Sequence, residues 1–426
     1  LAPRDYLSTF LKIGTIVGLA IGILIMRPTL TMPALTKFVD GTGPVWSGNL
    51  FPFLFITIAC GAVSGFHALI SSGTTPKMLA NESQACFIGY GGMLMESFVA
   101  IMALVAACII DPGVYFAMNS PMAVLAPAGT TDVVASAAQV VSGWGFSITP
   151  DTLHQIASEV GEQSIISRAG GAPTLAVGMA YILHGSLGGL MDVSFWYHFA
   201  ILFEALFILT AVDAGTRAAR FMLQDLLGVI SPGLKKTSSL PANLLATALC
   251  VLAWGYFLHQ GVVDPLGGIN TLWPLFGIAN QMLAGMALML CAVVLFKMKR
   301  QRYAWVALLP TSWLLICTLT AGWQKSFSPD TKVGFLAIAN KFQSMIDSGN
   351  IPPQYTESQL AQLVFNNRLD AGLTIFFMIV VVVLALFSIK TALAALKEDK
   401  PTAKETPYEP MPENLEEIVT QAKGAH

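Results

Sequence analysis

Nine runs of about twenty mostly apolar residues divide this chain, at about 7–26, 49–70, 87–110, 171–190, 194–212, 241–260, 273–297, 303–321 and 371–395. Runs of that length match the roughly 20 residues an α-helix needs to cross the hydrocarbon of a bilayer. Backbone amides find no water there, so a spanning segment must satisfy them internally. The expected fold class is therefore all-α, a polytopic transmembrane helix bundle. Composition supports this: 54% of the 426 residues are hydrophobic and 11% are charged, against about 25% charged in soluble domains. The formal net charge of -2 offers no field that would gather nucleic acid, so the lipid bilayer is the implied surroundings. All six cysteines stand singly, with no CxxC pair, so neither a metal site nor a disulfide framework is signalled and no cofactor is expected.

Three polar segments interrupt the runs, at 111–170, 321–370 and 396–426. In the first, "SITPDTLHQIASEVGE" places Thr149 as a helix cap and Pro150 at the first helical position, predicting a short surface helix. In the second, "TESQLAQLV" offers Thr356 and Gln359 as a capping box for a helix leading towards the last span. The tail "KEDKPTAKETPYEPMPENLEE" is proline-rich and charged, and is expected to be disordered. The domain reading is thus a transmembrane transporter domain over 1–395, with 111–170 and 321–370 extracytoplasmic, and a cytoplasmic tail over 396–426. The opening "LAPRDYLSTFLKIG" has neither an initiator Met nor a signal-peptide pattern, and reads as the later part of a longer protein.

Basic residues in short loops set orientation. Arg217, Arg220, Lys235 and Lys236 put 212–240 in the cytoplasm, as Lys297, Lys299, Arg300 and Arg302 do for 297–302. Segment 111–170 holds only Arg168 and reads as outside, as does "GVVDPLGGIN" at 261–270. Two full crossings between 170 and 212 cannot join an outside segment to an inside one. The glycine-rich 171–190 run is the weakest, so it is expected to be broken or re-entrant, which is tolerated where protein or a cavity shelters it.

One stretch exceeds what an anchor needs. "FPFLFITIACGAVSGFHALISSGTTPK" begins as oil and ends in hydroxyls, glycine, proline and lysine. On a helix Ser64, His67 and Ser71 form one polar stripe beside Gly61, Gly65 and Ala68, and "SSGTTPK" is expected to stop the helix. Interrupted helices near mid-membrane offer free backbone groups to substrates and ions, which makes His67, Ser71, Ser72, Thr74 and Thr75 candidates for the pathway. The plainer alternative is a helix ending at the cytoplasmic surface, with Lys77 snorkelling to headgroups. Gly14, Gly18 and Gly22, and again Gly61 and Gly65, recur every four residues, as at close helix contacts.

Glu96 and Glu204 lie inside apolar runs, Glu204 near the centre of its run and six residues after His198. A charge at mid-bilayer costs on the order of 3 kcal/mol, so such acids mark ion pathways unless they are neutral or paired structural groups. Glu96, Glu204 and His198 join the candidates. So do Asn280 and Gln281, whose default role is helix-to-helix hydrogen bonding, with a pathway lining second. The segment after Glu204, "DAGTRAARFMLQDLLGVI", reads as a separate helix in the cytoplasmic interface, with Asp213 and Arg217 able to pair. HExxH, GxSxG, Walker A and metal-spaced His/Cys clusters are all absent, so no enzyme is indicated. Scattered single acids, a broken segment and many glycines favour a secondary transporter.

The runs "LAPRDYLSTFLKIG", "FPFLFITIACGAVSGFHALISSGTTPK", "RAGGAPTLAVG", "FWYHFAILFEALFILTAVDAGTR", "FMLQDLLG" and "LWPLFGIANQMLA" closely resemble the carbon starvation protein A family, from Leu1 to the tail. The ending resembles its enteric-bacterial members more than their pyruvate-transporting relatives. The resemblance implies a bacterial inner-membrane transporter importing peptides during carbon starvation, with proton coupling. Pyruvate–proton symport is the alternative, and a nutrient sensor without net flux a more distant one. It also implies the amino acid–polyamine–cation superfamily fold, with inverted repeats and discontinuous helices, and N-terminal helices preceding this chain. No binding residues are carried over from the family.

Overall fold

The computed structural model describes residues 2–58, 61, 63–127, 129–264, 268–353, 355–403 and 407. Among these residues there are fifteen α-helices and no strands. In chain order the first nine are α1 (Ala2–Met26), α2 (Leu50–Ile58), α3 (Gly65–Gly73), α4 (Gln84–Cys108), α5 (Pro112–Asn119), α6 (Met122–Leu125), α7 (Val133–Gly143), α8 (Pro150–Val160) and α9 (Gly171–Ser186). They are followed by α10 (Val193–Ile230), α11 (Leu240–Val263), α12 (Gly268–Lys297), α13 (Trp305–Phe327), α14 (Phe335–Asp347) and α15 (Glu357–Lys397). Seven of the described helices, α1, α4, α10, α11, α12, α13 and α15, are long and apolar enough to cross a membrane. The chain is a multi-pass membrane protein with an all-α fold.

It divides into two compact units. Residues 1–47 and 91–212 form one, and 48–90 with 213–426 form the other. In the first unit the 111–170 segment is largely helical. Asp111 caps α5 by accepting from the Gly113 amide at 2.8 Å, and Asp132 caps α7 through the Val134 and Ala135 amides. Thr149 caps α8 through the Thr152 amide, Pro150 opens it, and Gly161 at φ 76° closes it in the left-handed conformation. Leu153, Ala157 and Val160 turn one face of α8 into the core shared with Val114, Val141, Met179 and Ile182.

Helix α9 has 16 residues, about 24 Å at 1.5 Å per residue and less than the roughly 30 Å of hydrocarbon. Gly188 and Gly189, both at positive φ, follow its end. Of the four-residue glycine steps in α1, only Gly22 makes a close approach, where a Cβ would meet Ser186 and Ile182 of α9. Gly14 and Gly18 have nothing within 4 Å among the described residues.

Two of the expected elements are corrected. The 49–70 run is not one helix but two, α2 and α3, separated between Ile58 and Gly65. Apolarity decides that a segment is buried; it does not decide that its backbone stays helical. The interfacial helix expected over 213–230 is instead the second half of α10, unbroken for 38 residues. No glycine–proline or capping signal separates the two parts, and Arg217 bonds Asp213 at 2.9 Å along the same face. The Thr356–Gln359 capping box starts its helix as expected, and that helix leads straight into the last span as α15.

In the second unit α12 and α13 are the central helices, with 44% and 39% of their apolar windows buried, against 11% for α15. The remaining apolar faces, with side chains such as Leu244, Leu252, Phe376 and Leu386, are exposed as a lipid-facing surface requires. Lys299 Nζ donates to the Ala395 carbonyl at 2.7 Å, so the basic turn and the end of α15 share one end of this unit. Most of the tail read as disordered, 404–406 and 408–426, lies outside the described residues, as do Cys60 and 265–267 of the 261–270 loop.

Candidate functional site

The facing ends of α2 and α3 are both met by side chains from one place in the second unit. A helix start leaves its first four N–H groups unsatisfied, and a helix end its last four carbonyls. Ser64, in extended conformation, takes the His67 amide on its hydroxyl at 3.0 Å. The Phe66 amide is taken by Asn280 Oδ1 of α12 at 2.9 Å. On the other side of the gap Gln281 Nε2, also of α12, donates to the Phe55 carbonyl, and Trp273 Nε1 donates to the Thr57 carbonyl at 3.3 Å. Asn280 and Gln281 are both buried. Two neighbouring amides of one helix therefore hold both broken ends.

Close contact makes this possible. A Cβ at Gly65 would lie 2.1 Å from the Asn280 carbonyl oxygen, and one at Gly277 would lie 2.4 Å from the Ile56 carbonyl oxygen. Only glycine lets both half-helices approach the α12 backbone so nearly. On its far side α3 rests on the second half of α10, where Gly215 faces the Phe66 ring and Ala218 faces Gly73.

The sequence-singled residues fall into two groups. His67, Ser71, Ser72, Thr74 and Thr75 follow the break, and Asn280 and Gln281 bracket it. Ser71 and Ser72 return hydrogen bonds to the Ala68 carbonyl and Thr74 returns one to Ile70. The helix stops at Gly73 and a 3-10 turn, Thr75–Lys77, follows. Lys77 Nζ lies 3.6 Å from the centre of the Phe221 ring.

Glu96, His198 and Glu204 belong to the first unit. Glu96 is exposed on α4 and Glu204 is half-buried on α10. His198 Nδ1 approaches the Ser194 carbonyl of its own helix at 2.8 Å. Six residues along a helix turn about 600°, so His198 and Glu204 point to different faces. A cavity of about 310 Å³ in this unit, lined by Met26, Thr29, Asp111, Ile156 and Tyr181 among others, includes none of the three.

A polar ladder escaped the sequence reading. Gln362, Asn366 and Asp370 stand four residues apart on α15, hence on one face. They meet Gln260 and Asp264 at the end of α11: Gln362 Nε2 donates to Gln260 Oε1 at 3.1 Å, and Asn366 Nδ2 to Asp264 Oδ2 at 2.8 Å. Burial and the nearby Asp264 carboxylate push the Tyr355 phenol above its ordinary value. The QxxxNxxxD spacing was the available signal, hidden because 261–270 and 321–370 read as separate outside segments.

A family model described as Carbon starvation protein CstA matches residues 1–321. The chain belongs to this family. Within the CstA family it is 94% identical over 426 residues to Peptide transporter CstA of Escherichia coli K12, covering 100% of this chain and 61% of that protein. Pyruvate/proton symporter BtsT of the same organism is 59% identical over 431 residues, covering 97% of this chain and 60% of BtsT. Peptide transporter CstA of Bacillus subtilis 168 is 42% identical over 324 residues, 76% of this chain and 50% of that protein. The chain thus spans about three-fifths of the length of the first two relatives. No solved structure matches it. The CstA-family relatives named here are all named as transporters.

Proposed function

We propose that this chain carries the interrupted-helix machinery of a secondary active transporter that imports peptides across a bacterial inner membrane, coupled to protons. The observation that carries the reading is the α2/α3 break held by Asn280 and Gln281. Transporters use such breaks because helix ends turn dipoles and free backbone groups towards a ligand. His67, Ser71, Ser72, Thr74 and Thr75, following the break, are the proposed pathway side chains. The discontinuous helix also supports assignment to the amino acid–polyamine–cation superfamily type. Peptide as substrate rests on the 94% identity to a protein named as a peptide transporter. The symporter at 59% identity favours a second reading, pyruvate–proton symport.

Uptake into proteoliposomes separates the two. Labelled di- and tripeptides are compared with labelled pyruvate, with and without an imposed inward proton gradient. Gradient-driven peptide accumulation is the expected result; pyruvate accumulation without peptide uptake would replace the first reading by the second.

Glu204 is proposed to carry the coupling proton, since a half-buried acid on an apolar helix can alternate between dry and aqueous surroundings. Glu204→Gln is then expected to insert normally and to lose accumulation against a gradient while retaining substrate exchange. Accumulation at the unmodified protein's level by a well-folded Glu204→Gln would remove Glu204 from this role.

Orientation is proposed from the positive-inside rule, with 297–302 and the C-terminus cytoplasmic. In a cysteine-free background, a cysteine at Gln301 is expected to resist an impermeant maleimide in whole cells, and one at Gly349 to react. The opposite pattern would invert the topology.

A further inference from the structure

The ladder between α11 and α15 ends in a group whose needs are not met. Asp370 is 2% exposed, and its Oδ2 has no hydrogen-bond partner among the described residues. Asp370 lines a small pocket together with Gln260, Asp264 and Asn366, and with Phe257, Leu272 and Leu369. The space amounts to about 10 Å³, the room that one water-sized sphere occupies. A buried carboxylate oxygen left unpaired is among the costlier arrangements in a protein interior. Here its residue lines a pocket with room for one water-sized particle.

The chemistry of the lining selects the particle. Its polar groups are two carboxylates and two carboxamides, and none of the described lining residues is basic. Oxygen donors suit hard cations. A calcium ion would need six to eight oxygens, and of the six side-chain oxygens here Gln260 Oε1 and Asp264 Oδ2 already accept hydrogen bonds. Asp264 Oδ2 already accepts from Asn366, so the position left to be compensated is a single carboxylate oxygen. We propose that Asp370 and Asp264, with the Asn366 and Gln260 carboxamides, bind one small monovalent cation: a dehydrated alkali ion, or a proton accompanied by one water.

The groups around the site are few. The end of α11 brings Asp264, with Tyr355 ahead of α15 close enough to respond to it. The lining residue from α12 is Leu272, and Arg368 on α15 is exposed. The site stands on its own geometry and does not depend on the transport reading, so its test is binding rather than uptake.

Thermal unfolding of the purified full chain in detergent is followed in choline chloride, against sodium chloride at equal ionic strength, and across pH 5 to 8. A cation that binds the folded state alone raises the midpoint, by about 2 °C or more once it is well above its dissociation constant. A sodium-specific rise that is lost in Asp370→Asn identifies an alkali ion. A rise on lowering pH, absent in Asp370→Asn and with no sodium effect, identifies the proton. Asp264→Asn keeps an acceptor for Asn366 and carries the same comparison if Asp370→Asn fails to fold. A protein that responds to neither ion, or a folded variant that responds as the unmodified protein does, overturns the proposal.

Discussion

Gly65→Ala is expected to be among the most damaging single-methyl changes in the second unit. The new carbon would sit 2.1 Å from the Asn280 carbonyl oxygen and 2.7 Å from Leu283 Cβ. The first neighbour is backbone of the central helix, so no side-chain rotation relieves the overlap. The α3 start must withdraw, and its withdrawal lengthens the Phe66 N–H bond to Asn280 Oδ1 that now measures 2.9 Å. Overpacking of a close interface typically costs about 1–3 kcal/mol, and the weakened buried bond adds to it. The measurement is the unfolding midpoint in detergent beside substrate uptake: both are expected to fall, the midpoint by several degrees. Gly14→Ala, at a position with nothing within 4 Å among the described residues, is the matched control and should behave as the unmodified protein. Equal behaviour of the two variants would show that α3 and α12 are not in contact as described.

Gln281→Leu is expected to act on function more than on stability. Leucine keeps the bulk and apolar fit of a buried helix position but cannot donate to the Phe55 carbonyl. That carbonyl lies in the last turn of α2, where helix carbonyls depend on partners from outside the helix. Leaving a buried acceptor unserved costs about 1–3 kcal/mol, enough to shift how the broken end sits. Uptake is expected to drop at least tenfold while the protein still reaches the membrane and elutes as one species. Asn280→Leu removes the support of the other end, and the double variant is expected to lose less than the sum of the two losses, because the amides serve one interruption. Strict additivity would mean that the two ends are held independently.

Much of this fold was legible because bilayer physics is simple. Length and apolarity located α1, α4, α11, α12, α13 and the apolar part of α15, and cap chemistry located the starts of α8 and α15 at Thr149 and Thr356. The 171–190 run, expected to be broken or re-entrant, holds an uninterrupted 16-residue helix, with glycines at positive φ only after its end. The break in the α2/α3 run was less legible. Its cause lies partly in Ser64, but mainly in Asn280 and Gln281, more than two hundred residues away. A local reading therefore placed the interruption at the hydroxyl-rich end, where α3 merely finishes. The contact of Asn366 with Asp264 was hidden for the same reason, since the two residues fall in segments read as separate outside loops. The continuity of α10 was misjudged because a charged residue such as Asp213 reads as an exit from the membrane, although its bond to Arg217 lets the helix continue.

One consequence of the two amides is mechanical. Asn280 and Gln281 are consecutive, so their attachment points on α12 are about 1.5 Å apart along its axis. The width of the gap between α2 and α3 is thereby tied to the pitch of a helix, which hardly stretches. If α12 tilts or shifts, both broken ends are carried with it, as two doors hung on one post. A slip of α12 by a single residue would carry one of the two amides to the level of the contact made by the other.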